Sequence, residues 1–333
     1  MGFACKWSEV HPKKGIISTE GLNTGGTTLT FLKKQNRDVA EQKLWDVMKN
    51  NVMCLHNLVK KVSTLSPELR MVRLTSDVLC AYTHPDFMYF YKQSDVINAM
   101  ERWFAPIGET ARKHDVRLSF HPDQFVVLAS DRPEVVEQSI REFEYHVDMA
   151  RMMGYGKTFQ DFKINVHIAG RQGPEGIRRA YRLLSPEARN TLTIENEEIS
   201  YGLDDCLTIC DLVPIVLDIH HHWIREGEYI SANDPRIQKV IDSWRGVRPA
   251  IHYSVSREDC LVGHDPNALP QRNLLMESGH NKQNLRAHSD YYWNNAVNDW
   301  ALTHRSWADM MCESKAKNLA SFKLHEYANT TSR

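Results

Sequence analysis

Short apolar segments recur along this 333-residue chain, and seven of them end on a histidine or a carboxylate. The seven endings are His84, His121, His167, Glu195, Asp218, His252 and Glu313. A short loop separates the first of them from its apolar segment. A single histidine after such a segment is more often a structural residue than a ligand, but seven matching endings predict one shared polar site.

Helical patterns lie between these apolar segments. Amphipathic periodicity predicts helices over about 38–62, 94–114 and 133–154. Short, continuously apolar strands are expected when both faces of a parallel sheet are covered. Counting residues 1–5 as the first strand, eight strand–helix units follow one another without a linker. The pattern therefore predicts an α/β fold, a single TIM (β/α)8 barrel domain over 1–333, with its site at the C-terminal ends of the strands.

Two irregular regions interrupt this pattern, at about 8–35 and 254–293. Both are rich in polar and turn-forming residues, and both follow predicted strands. Long loops in a compact domain are usually functional or disordered. We expect both loops to lie over the face that carries the site.

Composition narrows the class of protein. The chain is 42% hydrophobic and 25% charged, which is typical of a soluble globular protein. It has no apolar run of about 18 residues and no signal-peptide pattern, so we expect no membrane partner and a cytoplasmic location. Seven cysteines without a CxxC pair predict reduced thiols. With a formal charge of −1, any nucleic-acid partner must meet a local positive surface.

The types of residue at the strand endings indicate metal binding. Histidine nitrogen and carboxylate oxygen suit Mn²⁺, Zn²⁺ or Fe²⁺, and the absence of thiolate argues against a structural zinc site. The motif D-I-H-H-H adds His221 after Asp218, and since three consecutive histidines cannot all face one centre, His220 or His222 lies elsewhere. In E-N-E-E, Glu197 and Glu198 are interpreted as a solvated loop.

About nine candidate ligands are too many for one ion and suit two or three. Such a cluster makes a hydroxide at neutral pH, polarises a phosphoryl oxygen and neutralises the leaving alkoxide. Phosphodiester hydrolysis is the reaction that most needs all three effects. The alternative use of strand-end ligands is sugar isomerisation, in which fewer metals orient hydroxyl groups.

The chain resembles the ultraviolet-damage endonuclease family over most of its length. The segments that carry the resemblance are R-L-T-S-D-V-L-C-A-Y-T-H-P, H-P-D-Q-F, V-H-I-A-G, I-E-N-E-E, D-I-H-H-H, A-I-H-Y-S and E-S-K-A-K. The resemblance implies a TIM barrel that nicks DNA 5′ to a lesion with a cluster of three metal ions. We expect two or three divalent ions, Mn²⁺ in the first place and Zn²⁺ or Mg²⁺ as alternatives.

The family's residues can be carried over to positions in this chain. The metal ligands then fall on His84, His121, His167, Glu195, Asp218, His221, His252, His288 and Glu313. His264 and His280 compete with His288 for its assignment. We expect Glu195 and His252 to be essential for catalysis, and Lys315 to face a substrate phosphate, although a solvated helix start is the alternative for the lysine.

H-P-D-Q-F resembles the family segment H-P-G-Q-Y, whose glutamine and aromatic residue probe the duplex at the lesion. The corresponding residues are Gln124 and Phe125. An amide can pair with orphaned base edges, and a ring can stack in the gap left by extruded bases. The alternative is that Phe125 begins the apolar run F-V-V-L and packs into the loop. Phe3 matches a family tyrosine near the site.

One position departs from the family pattern. Family members often carry a lysine two residues before the histidine of the seventh strand, where it can be carboxylated and bridge two metals. This chain has Ala250 there. The bridge must be absent or supplied by water, hydroxide or another residue. We hypothesise that Ala250 leaves the metals bound but alters their spacing or the pKa of the nucleophilic water.

Together these observations predict a monomeric DNA-repair endonuclease. It would hydrolyse the phosphodiester bond 5′ to UV photoproducts, and to other lesions, in damaged double-stranded DNA of the nucleoid. Three alternatives remain: an abasic-site endonuclease of the endonuclease IV type, a xylose-isomerase-like sugar enzyme, and a damaged-DNA binder without activity. Retention of the ligands argues against the last, because buried carboxylates and histidines without metal would repel or remain unpaired.

Overall fold

Eight parallel strands form a closed barrel in the structure, a computed structural model that describes residues 1–122, 124 and 126–331. The strands are β1 (Gly2–Ala4), β4 (Met71–Arg73), β5 (Arg117–Phe120), β6 (Lys163–His167), β7 (Leu192–Glu195), β8 (Ile215–Asp218), β9 (Ala250–Tyr253) and β10 (Asp309–Cys312). They pair in chain order, and β10 closes the barrel against β1. The predicted α/β barrel is confirmed.

The apolar strands are buried on both faces, as their continuous patterns predict. Every residue of β7, β8 and β9 is buried. Register then aligns the polar endings, since His167 pairs with Glu195 and Asp218 pairs with His252. The carboxyl ends of parallel strands meet at one end of a barrel, so these side chains share a single rim.

Helices surround the barrel. They are α1 (Leu29–Lys34), α2 (Arg37–Ser63), α3 (Ser94–Lys113), α4 (Pro133–Met152), α5 (Gly173–Leu183), α6 (Pro186–Thr191), α7 (Leu203–Leu207), α8 (Ile219–Glu226), α9 (Pro235–Ser243), α10 (Arg272–Glu277), α11 (Lys282–Leu285), α12 (Asn295–Leu302) and α13 (Asn318–Thr331). The Asn36 side chain caps α2 by accepting the Val39 N–H, and Leu44 and Met48 lie on its fully buried stripe. Among the described helices, none combines the length and apolarity needed to cross a bilayer.

The two irregular regions contain short elements that periodicity does not show. The first holds a hairpin of β2 (Ser8–His11) and β3 (Gly15–Ser18), followed by α1. Val10 and Ile16 pair across this hairpin and are both exposed, so its apolar residues do not form the buried face by which a strand is predicted. The second region contains α10 and α11, which are too short for a helical period.

Candidate metal centre

Glu195, the last residue of β7, lies at the centre of the strand-end site. Its side chain is fully buried. Oε2 lies 3.3 Å from His121 Nε2, while Oε1 lies 3.1 Å from His252 Nδ1 and 3.7 Å from His221 Nδ1. The Asn165 amide, on the neighbouring β6, donates a hydrogen bond to Oε2. One carboxylate therefore joins three candidate ligands, His121, His221 and His252, which lie in or follow three different strands.

A second carboxylate extends the cluster towards β10. Glu313 Oε1 lies 3.3 Å from His252 Nδ1, and the Arg73 guanidinium pairs with the same oxygen. The candidate ligands form three groups, and the ligand atoms within each group lie within 4.8 Å of one another. The groups are His121–Glu195–His252, His167–Glu195–His221 and Asp218–His252–Glu313. Seven of the nine predicted ligands therefore meet in one cluster.

Several nitrogen and oxygen atoms of this cluster are placed to bind a metal ion and not another side chain. His167 Nδ1, Glu195 Oε1, Asp218 Oδ2 and His252 Nδ1 are buried and have no hydrogen bond within the described part of the chain. Unpaired buried polar atoms are rare in proteins and call for an explanation. Imidazole nitrogens and carboxylate oxygens that converge without bonding to each other are suited to divalent cations.

Electrostatics keep the two central carboxylates ionised. Burial alone would raise the pKa of Glu195, but His252, His167 and His121 outweigh it and hold that pKa well below the usual value. Burial likewise opposes ionisation of Glu313, yet Arg73 and His252 hold its pKa well below the usual value. Both side chains are therefore negative, which is the form in which a carboxylate binds a metal ion.

The motif D-I-H-H-H places its residues by helix geometry. Asp218 ends β8 and caps α8, where its Oδ1 accepts the backbone N–H groups of His220 and His221. The His221 ring turns back towards Asp218 Oδ2, at 3.8 Å from Nδ1. His220 instead contacts the Leu285 carbonyl and His222 contacts Glu228, so only the middle histidine faces the centre.

Proton release should accompany metal binding at this pair. Burial raises the pKa of Asp218 to about 8. Burial opposes the charge on His221, but Asp218, Glu195 and Glu198 raise its pKa to about 9. Together the pair holds at least one proton at neutral pH, and metals bind the deprotonated forms. Apparent Mn²⁺ affinity should therefore rise with pH up to about 9.

Calorimetric titration of the metal-free protein with Mn²⁺ checks this expectation. Titrations in buffers of different ionisation enthalpy report the number of protons released at each pH. An affinity that stayed constant between pH 6.5 and 9 would contradict the assignment of Asp218 and His221 as ligands.

The remaining predicted ligands lie further out. His288 lines a cleft of about 470 Å³ together with the cluster residues His167, His221 and Glu313, and it pairs by a backbone bridge with Ser256. His84 is not joined to the cluster by any described contact. Its Nδ1 accepts the Asp86 N–H, and its ring packs near Phe87. His84 as a ligand remains a prediction.

The predicted DNA-contacting residues are placed unequally. Gln124 is exposed and lines the same cleft as His288. Phe125 lies outside the described residues. Lys315 is exposed and lines a neighbouring cleft of about 740 Å³. Phe3 is 1% exposed and packs edge-on against Trp7, so its position does not support contact with DNA. The match to a family tyrosine gives no information on which face of β1 the side chain occupies.

Three charged residues at the cluster were missed. Arg73 ends β4 beside Glu313, and Lys163 begins β6 on the same face as Asn165 and His167. The alternation in K-I-N-V-H is the signal that could have found the lysine. Glu198 is buried with Oε2 at 3.8 Å from His221 Nε2, so its interpretation as part of a solvated loop was wrong.

Lys163 brings an amine to the cluster from an unexpected strand. Its Nζ lies 3.2 Å from His252 Nε2, and burial lowers its pKa to about 7. Ala250, by contrast, packs in a separate apolar group with Met71 and Met311. The amine near His252 therefore comes from β6 in this chain, and not from residue 250 on β9.

Replacing Lys163 by methionine should weaken metal binding while the barrel stays folded. Methionine has similar volume but leaves His252 Nε2 without its partner, and losing such a partner typically lowers metal affinity by about 10–100-fold. Metal titration of Lys163→Met checks this, with the exposed Lys239→Met as control. Equal Mn²⁺ affinity in variant and parent would show that the contact does not orient His252.

The sequence matches a known family over nearly its whole length. The family model described as UV-endonuclease UvdE matches residues 1–332. A protein named UV DNA damage endonuclease from Bacillus cereus (strain B4264) is 26% identical over 309 residues, which are 89% of this chain and 86% of that protein. One of the same name from Bacillus velezensis is 26% identical over 314 residues, with coverage of 90% and 87%.

Solved structures agree with this match. The crystal structure of SacUVDE superposes with a TM-score of 0.71 at 25% identity, over 94% of this chain and 95% of that one. Endonuclease IV from Thermus thermophilus gives a TM-score of 0.53 at 14% identity, over 83% and 94%, and shares the fold. The predicted resemblance is confirmed, and the chain belongs to the UV-endonuclease UvdE family.

Proposed function

We propose that this chain is a metal-dependent endonuclease that hydrolyses the phosphodiester bond 5′ to UV photoproducts in double-stranded DNA. The observation that carries the proposal is the set of buried, unpaired donor atoms around Glu195, Asp218 and His252 in a member of the UvdE family. Its relatives are named UV DNA damage endonucleases. The products would carry a 3′-hydroxyl and a 5′-phosphate.

The three ligand groups would hold two or three divalent ions, with Mn²⁺ as our first choice. Bound there, such ions supply Lewis-acid stabilisation of a phosphoryl group and an activated water nucleophile. Glu195 and His252 each belong to two groups, so they hold the groups in fixed relation. Asn165 and Arg73 orient the two central carboxylates by hydrogen bonds from below the site.

The cleft supports a nucleotide substrate. Its volume of about 470 Å³ lies within the range of sites that hold small ligands, and it can admit a nucleotide extruded from a duplex. Gln124 lines one side, and the cluster residues His167, His221 and Glu313 line the same cleft. We infer that Gln124 contacts the bases at the lesion while the strand backbone crosses the metal ligands.

The positive surface that DNA requires is local. Lys6, Lys13, Lys14 and Lys315 are exposed, and within 1–122, 124 and 126–331 no ion pair involves them. They lie on segments that follow β1 and β10, which are neighbours in the barrel. This surface would attract phosphates beside the site although the whole chain is nearly neutral. We expect a monomer to act on chromosomal DNA inside the cell.

Incubation of the purified protein and Mn²⁺ with three labelled duplexes tests the proposal. One duplex is irradiated, one contains an abasic site and one is undamaged. We expect nicking 5′ to photoproducts, loss of nicking with a chelator, and no cut in undamaged DNA. No nicking of any duplex at full metal occupancy would overturn the proposal.

Cleavage of the abasic duplex alone would favour the second candidate, an abasic-site endonuclease. The shared fold with endonuclease IV is the observation behind that alternative. Either activity would use the same cluster in this chain, so the lesion in the cleaved duplex is what separates the two candidates.

A further inference from the structure

Arg286 presents a partly free guanidinium to the cleft. The side chain is 45% exposed, and only its Nη1 has a described hydrogen bond, at 2.8 Å to Glu198 Oε1. The cleft is also lined by Glu197, Glu198 and Glu313. Arg286 is therefore the one permanent cation among the described residues that line this otherwise acidic cleft.

Glu198 connects this arginine to the metal cluster. Its carboxylate is 4% exposed; one oxygen binds Arg286, and the other lies 3.8 Å from His221 Nε2. Its backbone carbonyl accepts a hydrogen bond of 3.0 Å from Lys282 Nζ. A single buried residue therefore contacts both the cluster ligand on α8 and the segment that carries Arg286.

The segment itself, residues 282–288, is firmly attached. Leu285 is fully buried, and its carbonyl accepts hydrogen bonds from Ser256 Oγ at 2.6 Å and His220 Nε2 at 3.1 Å. The Ala287 carbonyl accepts the Arg257 N–H at 3.1 Å. Because the backbone is held on both sides of Arg286, the side chain is pre-oriented and loses little freedom when it binds a ligand.

We propose that Arg286 binds a phosphate of the DNA strand in the cleft, beside the phosphate that is cut, and that Glu198 is a positioning residue for both Arg286 and His221. This inference rests on the proposed function. The unpaired Nε and Nη2 form the planar edge that suits a phosphate. Such a cation offsets the repulsion between the strand backbone and the carboxylates Glu197, Glu198 and Glu313 that line the cleft.

Equilibrium binding of a short irradiated duplex, in Ca²⁺ to prevent cutting, tests the role of Arg286. Arg286→Gln should weaken binding about tenfold and make the negative slope of log K against log salt less steep by about 0.9, the value for one phosphate contact. Arg286→Lys should keep the slope. Arg141→Gln is the control, because Arg141 is also 45% exposed and paired with one glutamate, but lies on α4 and does not line the cleft.

A double-mutant cycle tests the role of Glu198. If Glu198 positions Arg286, then Arg286→Gln should weaken binding by only about twofold in a Glu198→Ala background. Glu198→Ala should also lower Mn²⁺ affinity about tenfold, because Glu198 positions His221. If Glu198 only held the segment 282–288 in place, Mn²⁺ affinity would not change. Independent, multiplicative effects with unchanged Mn²⁺ affinity would overturn the positioning role.

The outcomes separate this inference from the proposed function. A parent protein that nicks irradiated DNA, with Arg286→Gln equal to it in affinity and salt slope, overturns the phosphate site alone. A parent that binds DNA but never nicks overturns the proposed function, while the salt slopes still decide the role of Arg286. A parent that binds no DNA overturns both.

Discussion

Replacing Glu195 by glutamine should reduce nicking of irradiated DNA by more than about a thousandfold. The substitution keeps size and shape but removes the charge from a residue that belongs to two of the three ligand groups. It leaves His121 and His252 facing a neutral amide, which is a poor ligand for Mn²⁺. We therefore expect the metal content to fall together with activity.

Metal analysis and circular dichroism distinguish lost ligation from lost folding. The variant should keep the helical spectrum of the parent while it retains fewer ions after dialysis. Glu109→Gln, at an exposed position on α3, is the control and should behave as the parent. Nicking by Glu195→Gln at the parent rate would show that the central carboxylate is not a ligand.

Replacing Arg73 by methionine should destabilise the metal-free protein by about 3–5 kcal/mol, the usual effect of removing one partner of a buried ion pair. Arg73 and Glu313 are only 15% and 10% exposed, so the carboxylate would be left buried without its cation. Bound Mn²⁺ would neutralise the same carboxylate. The deficit in the free energy of unfolding should therefore shrink when the metal is saturating.

Urea denaturation with and without Mn²⁺ measures both parts of this prediction. Arg117→Met is a useful comparison, because Arg117 pairs with Asp309 at the start of β10, and its deficit should not depend on metal. A deficit of Arg73→Met that was equal with and without Mn²⁺ would place Glu313 outside the metal site.

The polar strand endings were predictable because strand and site share one local pattern. An apolar run followed by a histidine or carboxylate identifies both the strand and the side chain at its carboxyl end. In a parallel barrel all such ends meet, so His121, Glu195 and His252 could be grouped before any contact was known. His84 follows a longer loop, where the strand no longer determines direction, and no described contact joins it to the others.

The supporting charges were not predictable in the same way. Lys163 and His252 are 89 positions apart, and Arg73 and Glu313 are 240 positions apart. Each pair forms because long side chains reach across the barrel interior. Glu198 looked like part of an acidic loop, and its burial is explained by two cationic neighbours, His221 on α8 and Arg286 on a distant segment.

The sequence by itself determined the barrel, the rim on which the candidate site lies and the types of side chain gathered there, since these follow from local periodicity and from the residue at each strand end. Tertiary structure alone decided which charges meet: Lys163 with His252, Arg73 with Glu313, and Glu198 with both Arg286 and His221. The physical reason is that electrostatic and hydrogen-bond energies depend on separations of a few ångströms through space, which distance along the chain does not report.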